Sequence, residues 1–205
     1  MANILVLIPV KPTLPDALFS RCYALLHALD TREKEIGEHR LEVQLRACAG
    51  VDNGQPFSAH AHARNTMLDL YLDEAHTHVL WIDADLVEYP ADLATRLHAL
   101  DSDGVIAPTP LIEGTNRFYD VRGFIDSKGR CARTYPPYFT KGIPMQSVGT
   151  CYLAPAALYH AGARYEPTEG HTEHYSVCRQ AARVNIAPNV LVWHADLPRW
   201  GEAYH

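Results

Sequence analysis

The sequence predicts an α/β protein of three layers, α/β/α, with helices on both faces of a mostly parallel central sheet. Three observations carry that expectation. Asn3-Ile4-Leu5-Val6-Leu7-Ile8-Pro9-Val10 is an unbroken apolar run of strand length, the pattern of a strand buried on both faces. Strand-like and helix-like segments then alternate through the first half of the chain, which favours parallel strands joined by right-handed crossovers. Finally, the most apolar run, His78-Val79-Leu80-Trp81-Ile82, ends in Asp83-Ala84-Asp85. That sets a carboxylate pair at the C-terminal rim of the sheet, where open α/β sheets bind ligands.

Taken in order, the first strand stops at the prolines that follow Val10. After Pro12 and Pro15, Asp16 is placed to cap a helix over 16–28, with Leu18, Cys22, Leu25, Leu26 and Leu29 at helical spacing. Residues 41–48 alternate and then turn apolar, a second strand that ends at Gly50-Val51-Asp52-Asn53-Gly54. Ser58 is the expected cap of a helix over 58–74, with Ala59, Ala63, Met67, Leu70 and Tyr71 on one face. Beyond the Asp-x-Asp strand, 90–100 reads as a short amphipathic helix, and Gly104-Val105-Ile106-Ala107-Pro108 as a strand stopped by proline. Residues 116–125 and 128–138 read as irregular strands and loops able to fold over the rim. A strand at 149–154, helices at 155–161 and 173–183, and strands at 184–187 and 190–194 close the sheet.

Composition narrows the function classes. A chain of 205 residues with 47% hydrophobic and 20% charged residues is long enough for one domain with a real core, expected to span 1–205. No apolar run reaches the length of a membrane span and no signal-peptide pattern is present, so a cytoplasmic setting is expected. The five cysteines are odd in number and widely spaced, without a Cys-x-x-Cys, which fits free thiols. A formal net charge of −6 disfavours extensive nucleic-acid binding.

Carboxylate oxygens are hard ligands, and two of them one residue apart can hold or flank Mg²⁺ or Mn²⁺ that also coordinates a diphosphate. The alternative is that Asp83 and Asp85 merely end a strand and start a loop. The set His62-Ala63-Arg64-Asn65, then Leu80-Trp81-Ile82-Asp83-Ala84-Asp85, then Ser147-Val148-Gly149-Thr150 before an acidic helix start, resembles GT-A-fold glycosyltransferases of the family 2-like and mannan-polymerase-like kinds. The resemblance runs from Asn3 to Leu197.

That resemblance implies a nucleotide-binding half over about 1–110 and an acceptor and metal-completing half over about 111–205. The donor would be a UDP- or GDP-linked sugar, and the acceptor a glycan, a small molecule or a modified nucleobase; the alternatives are a catalytically silent protein of the same fold that binds a nucleotide sugar or glycan and, less in keeping with the motifs, a sugar-phosphate nucleotidyltransferase. Pro9 would line the nucleotide pocket, Asp52 would meet the base, and Arg64 would face the ribose or diphosphate. Asp85 would coordinate the Mn²⁺ or Mg²⁺, Asp83 would meet the ribose or the metal, and His194 would complete the metal site. Gly149 and Thr150 would approach the donor sugar or acceptor, and Glu173 would act as general base. Each has a plainer reading: Asp-Asn-Gly is turn chemistry, Arg64 pairs with a carboxylate or lies on a solvated face, His194 packs, and Glu173 is a helix-start acid. Tyr119, Phe124, Tyr135, Tyr138 and Trp200 are candidate platforms for sugar rings, or core and lid packing.

Overall fold

The computed structural model describes residues 1–48, 50–120, 122–131 and 142–196. In chain order the elements are β1 (Ala2–Val10), α1 (Asp16–Ile36), β2 (His39–Ala47), α2 (Ser58–Tyr71), β3 (His78–Ile82), β4 (Leu86–Glu88), α3 (Leu93–Leu100), β5 (Val105–Ile112), β6 (Ile125–Asp126), β7 (Ile143–Ser147), β8 (Cys151–Pro155), α4 (Ala156–His160), α5 (His174–Cys178) and β9 (Val184–His194). Strands lie in the order β2-β1-β3-β8-β5-β9-β7-β6, with β4 on β9. From β2 to β9, β8 runs against its neighbours and the others share one direction. The mostly parallel sheet read from the sequence is therefore present.

The unbroken apolar runs are explained by two cores, because alternate side chains of a strand point to opposite faces. Ile4, Val6, Ile8, Leu80 and Ile82 face one way, onto Cys22, Leu26 and Leu29 of α1 and Leu93, Ala94 and Leu97 of α3. Leu5, Leu7, Val79 and Trp81 face the other way, onto Met67 and Leu68 of α2 and Val177 and Cys178 of α5. Fully burying each such Leu or Ile side chain is worth roughly 1.5–3 kcal/mol, so both layers are held firmly to the sheet. The helices α1 and α3 are also pinned to each other. Glu33 is fully buried and its carboxylate accepts hydrogen bonds from Thr95 N (3.0 Å) and Thr95 Oγ1 (2.7 Å) in the first turn of α3, where unpaired amides favour an anion.

Several boundaries differ from the sequence expectation. The strand expected to stop at Pro108 runs through Pro110 to Ile112. Pro108 and Pro110 share the backbone phase of Ile106, the residue that pairs with Leu153 of β8, and beyond that pair the β8 ladder ends. Their missing N–H groups therefore cost no ladder bond, and Pro110 O accepts from Tyr119 N at 2.9 Å. The last two strands expected are one, β9, in which the register jumps from Ala187 to Leu191 and absorbs Pro188-Asn189-Val190 as a bulge. The first helix extends past residue 28 to Ile36, closed by Gly37 at φ 70°, a left-handed residue whose N–H donates to Glu33 O.

Neither expected cap forms. Pro15 and Phe57 occupy the N-cap positions of α1 and α2, and Asp16 and Ser58 are the first helical residues. The final helix expected from Glu173 is the single turn His174–Cys178. Among the described residues no helix is long and apolar enough to cross a membrane.

Candidate active site

Past Ile82 the chain turns over Asp83-Ala84-Asp85, with Leu86 N on Asp83 O at 3.1 Å. The short β4 then leaves β3 and pairs with the far end of β9, setting Leu86 opposite His194 and Ala195 N on Asp85 O at 2.9 Å. This backbone ladder is what brings two distant sequence segments together. His194 Nε2 lies 2.9 Å from Asp85 Oδ1. The other ring nitrogen, Nδ1, is 2.8 Å from Ala195 O, which fixes the orientation of the ring, as a carbonyl partner does for a metal-binding histidine. Tyr119 stacks on the imidazole with ring centroids 3.5 Å apart. Burial opposes charge on both partners, but their hydrogen bond and mutual attraction outweigh it. Asp85 is held below the usual carboxylate range and His194 above the usual histidine value.

Beside this pair lies Arg64, on the α2 face that meets the sheet and 3% exposed. Its Nη2 donates to Asp83 Oδ1 at 2.8 Å and its Nε to Glu173 Oε1 at 3.2 Å. The guanidinium lies 5.0 Å from the centroid of Trp81 and 5.7 Å from that of Tyr165. Its third nitrogen, Nη1, is buried without a hydrogen-bond partner among the described residues. A buried, permanently charged donor left unpaired is costly, and an anion relieves that cost.

Glu173 stands at the N-cap position of α5 but makes no side-chain cap bond: its carboxylate turns to Arg64 and lies 3.3 Å from His174 Nε2. Behind it runs a buried polar chain. His174 Nδ1 meets the Tyr152 hydroxyl at 3.3 Å, Tyr152 meets Tyr165, Tyr165 meets Tyr159 at 3.0 Å, and Trp81 Nε1 donates to the Tyr159 hydroxyl at 2.9 Å. Burial keeps His174 neutral, with its pKa lowered to about 3. For Glu173, burial favours the acid, but the permanently charged Arg64 guanidinium prevails and holds it below the ordinary glutamate value.

Sequence reasoning missed Asp120. It lies in the irregular stretch after β5, where no periodicity marks a functional position. Its Oδ1 accepts from Gly123 N at 2.7 Å and its Oδ2 from Thr150 Oγ1 at 3.0 Å. Thr150 O in turn accepts from Asp83 N at 3.0 Å, so one residue separates Asp120 from the Asp-x-Asp. Thr150 adopts φ 60°, a left-handed conformation that is strained for a β-branched residue. A Cβ on Gly149 or Gly123 would stand 2.3 Å or 2.1 Å from Asp120 Oδ2, so a side chain at either would push the Asp120 carboxylate out of this seat. Burial, aided by the charges of Asp83 and Glu173, pushes Asp120 up to about 6. Lys11 was also passed over; its charge acts on Asp85.

The other sequence candidates are placed less centrally. Pro9 lies in β1 two residues past Leu7, the last residue paired with β3, toward the end of the strand from which the Asp-x-Asp turn leaves. Asp52 is exposed and its Oδ1 accepts from Gly54 N (2.9 Å) and Ser58 Oγ (3.0 Å), the turn chemistry of its plainer reading. Phe124 is fully buried against Phe118 and so is core, not a sugar platform. Tyr135, Tyr138 and Trp200 lie outside the described residues, as do 132–141 and 197–205 of the expected acceptor loops.

The family model Anp1 matches residues 55–134, which include Arg64, Asp83, Asp85 and Asp120. No curated protein matches the chain. Among solved structures, the catalytic domain of Drosophila β1,4-galactosyltransferase 7 in complex with xylobiose superimposes with a TM-score of 0.52 at 13% identity. A mutant of that enzyme, in complex with manganese, UDP-Gal and xylobiose, superimposes with a TM-score of 0.51 at 13% identity. Each alignment covers 93% of this chain and 66% of the other, so the chain spans a little under two thirds of their length. The chain has the GT-A fold, and its resemblance to GT-A glycosyltransferases holds in both family match and architecture.

Proposed function

We propose that the protein is a divalent-metal-dependent glycosyltransferase that moves a sugar from a UDP- or GDP-linked donor to a hydroxyl of a glycan, a small molecule or a modified nucleobase. The single observation that carries this reading is the juxtaposition of the Asp85–His194 pair, 2.9 Å apart, with the unpartnered Arg64 Nη1 on the same sheet rim. The carboxylate suits Mn²⁺ or Mg²⁺, the imidazole beside it favours Mn²⁺ of the two, and the buried guanidinium suits a phosphate.

The residues fit the implied ion as a two-donor set. Among the described residues no three His, Cys, Asp or Glu side chains gather into a metal site, so Asp85 and His194 would hold the ion with help from Asp83, the donor or water. A bound ion supplies charge neutralisation as the diphosphate departs. Asp85 and His194 hold it, Arg64 takes a phosphate oxygen or the ribose through Nη1, and Asp83 keeps the guanidinium in place while its second oxygen meets ribose or metal. Pro9 and Asp52 border the nucleotide, and Gly149 and Thr150 let backbone approach the sugar. The cytoplasmic setting rests on the five free cysteines.

A crystal soaked with manganese and UDP tests the assignment. The expected density is an ion touching Asp85 and His194 with a diphosphate oxygen within hydrogen-bond reach of Arg64. Nucleotide seated elsewhere, with Asp85 and His194 still joined, contradicts it. In the manganese complex of the Drosophila enzyme mutant, donor and acceptor sugar occupy a related fold, which is consistent with this reading.

A further inference from the structure

The proposed transfer needs a group to receive the acceptor hydroxyl's proton, and the helix-start acid implied by the resemblance is poorly placed to do so. Glu173 is 3% exposed, its Oε1 is shared between Arg64 and His174, and it closes a polar network that extends to Trp81. A carboxylate so engaged is a weak base, because protonating it breaks a buried ion pair.

We infer that Asp120 is the catalytic base of the transfer, with Tyr119 and Asp120 together forming the acceptor-side wall of the site. The inference rests on the function proposed above. Consecutive residues of one loop meet both halves of the metal site. Tyr119 stacks on His194, and Asp120 reaches Asp83 through the hydroxyl and carbonyl of Thr150. The chain accepts strain to build this seat: Thr150 is left-handed, and Gly123 and Gly149 leave the space that the Asp120 carboxylate fills. Where Glu173 meets the Arg64 guanidinium, the hydrogen bonds to the Asp120 carboxylate among the described residues come from one amide and one hydroxyl. Its raised proton affinity, about 6, agrees with the role.

In the step itself the acceptor O–H bond breaks and its proton passes to an Asp120 carboxylate oxygen. The freed oxygen bonds to the anomeric carbon. The bond from that carbon to the diphosphate oxygen breaks, and its electron pair leaves with the nucleoside diphosphate. No oxidant or further reactant is needed.

The test compares wild type with Asp120→Asn, which keeps the shape and the acceptor for Gly123 N while its amide nitrogen donates to Thr150 Oγ1 in place of accepting from it. Manganese-dependent UDP and GDP binding is measured by calorimetry. Release of nucleoside diphosphate is followed from UDP-galactose, UDP-glucose, UDP-N-acetylglucosamine and GDP-mannose, with water and added sugars as acceptors. The inference expects release to fall on the order of 100-fold or more, with nucleotide affinity within about threefold of wild type and a melting temperature no lower. Release within about fivefold of wild type overturns it, and so does a loss of release that tracks a loss of binding or folding, which would make Asp120 structural. If wild type binds no nucleotide and releases none from any donor, the proposed function fails first and the inference falls with it. A wild type that is active beside an equally active variant sinks the inference alone.

Discussion

Arg64 is the residue on which the site turns. Its charge lies between Asp83 and Glu173, so removing it leaves two carboxylates facing one another without a cation. Arg64→Met, which keeps the packing on Trp81, is expected to cost about 3–5 kcal/mol in urea unfolding, as breaking one side of a buried ion pair does. A loss below about 1 kcal/mol would mean the pair is solvated. Asp120 works the other way. Its folded pKa, about 6, lies above its unfolded value, so the folded state binds more protons between about pH 4 and 6 and its ionisation costs stability as pH rises through that window. Asp120→Asn is expected to raise stability at pH 7 by about 2 kcal/mol and to flatten the decline between pH 4 and 6. An unchanged pH slope would place its carboxyl in a solvated setting. Of these two residues only Arg64 was legible in the sequence, through the ordered motifs around it. Asp120 was not, because a carboxylate in an aperiodic loop gains its meaning from glycines 3 and 29 positions away that only the fold brings near.

At the scale of elements, the strands were legible because burial on both faces leaves an uninterrupted apolar run. Helix ends were not. Asp16 and Ser58 are good capping residues by type, yet proline and a left-handed Phe57 take the cap positions, since tertiary packing sets where each helix starts. The β5 error has a similar source, because proline stops a strand only where its missing N–H is needed, and sequence does not say which edge is unpaired. The most consequential element is also the shortest. Residues Leu86–Glu88 join the Asp-x-Asp turn to β9, and nothing in Leu-Val-Glu announces that pairing. The turn carrying Thr150 is the companion device. Thr150→Gly relieves a strain of about 1–3 kcal/mol, partly offset by glycine's extra unfolded-state freedom. We expect a melting temperature equal to or above wild type together with lower turnover, because the hydroxyl that seats Asp120 is gone. Turnover at the wild-type level would show that the hydroxyl does not matter.

For the whole molecule, the sheet acts as a frame that gathers residues 64, 83, 85, 120, 150, 173 and 194 to one rim. The parallel strands end there, β8 enters from it, and the last strand returns to it. The overall class followed from the sequence because a parallel sheet leaves a strong periodic signature. The site followed only in part, since the candidates at strand ends were found by position, while those on loops depend on long-range contacts. The central claim is that Asp85 and His194 together hold the ion used in transfer. The most direct measurement is manganese-dependent release of nucleoside diphosphate from UDP- and GDP-sugars by wild type, Asp85→Ala and His194→Ala, each checked for folding by its melting curve. The account predicts release by wild type that stops on chelation and falls at least about 100-fold in both variants while they remain folded. Release that is indifferent to chelation, or undiminished in either folded variant, would contradict it.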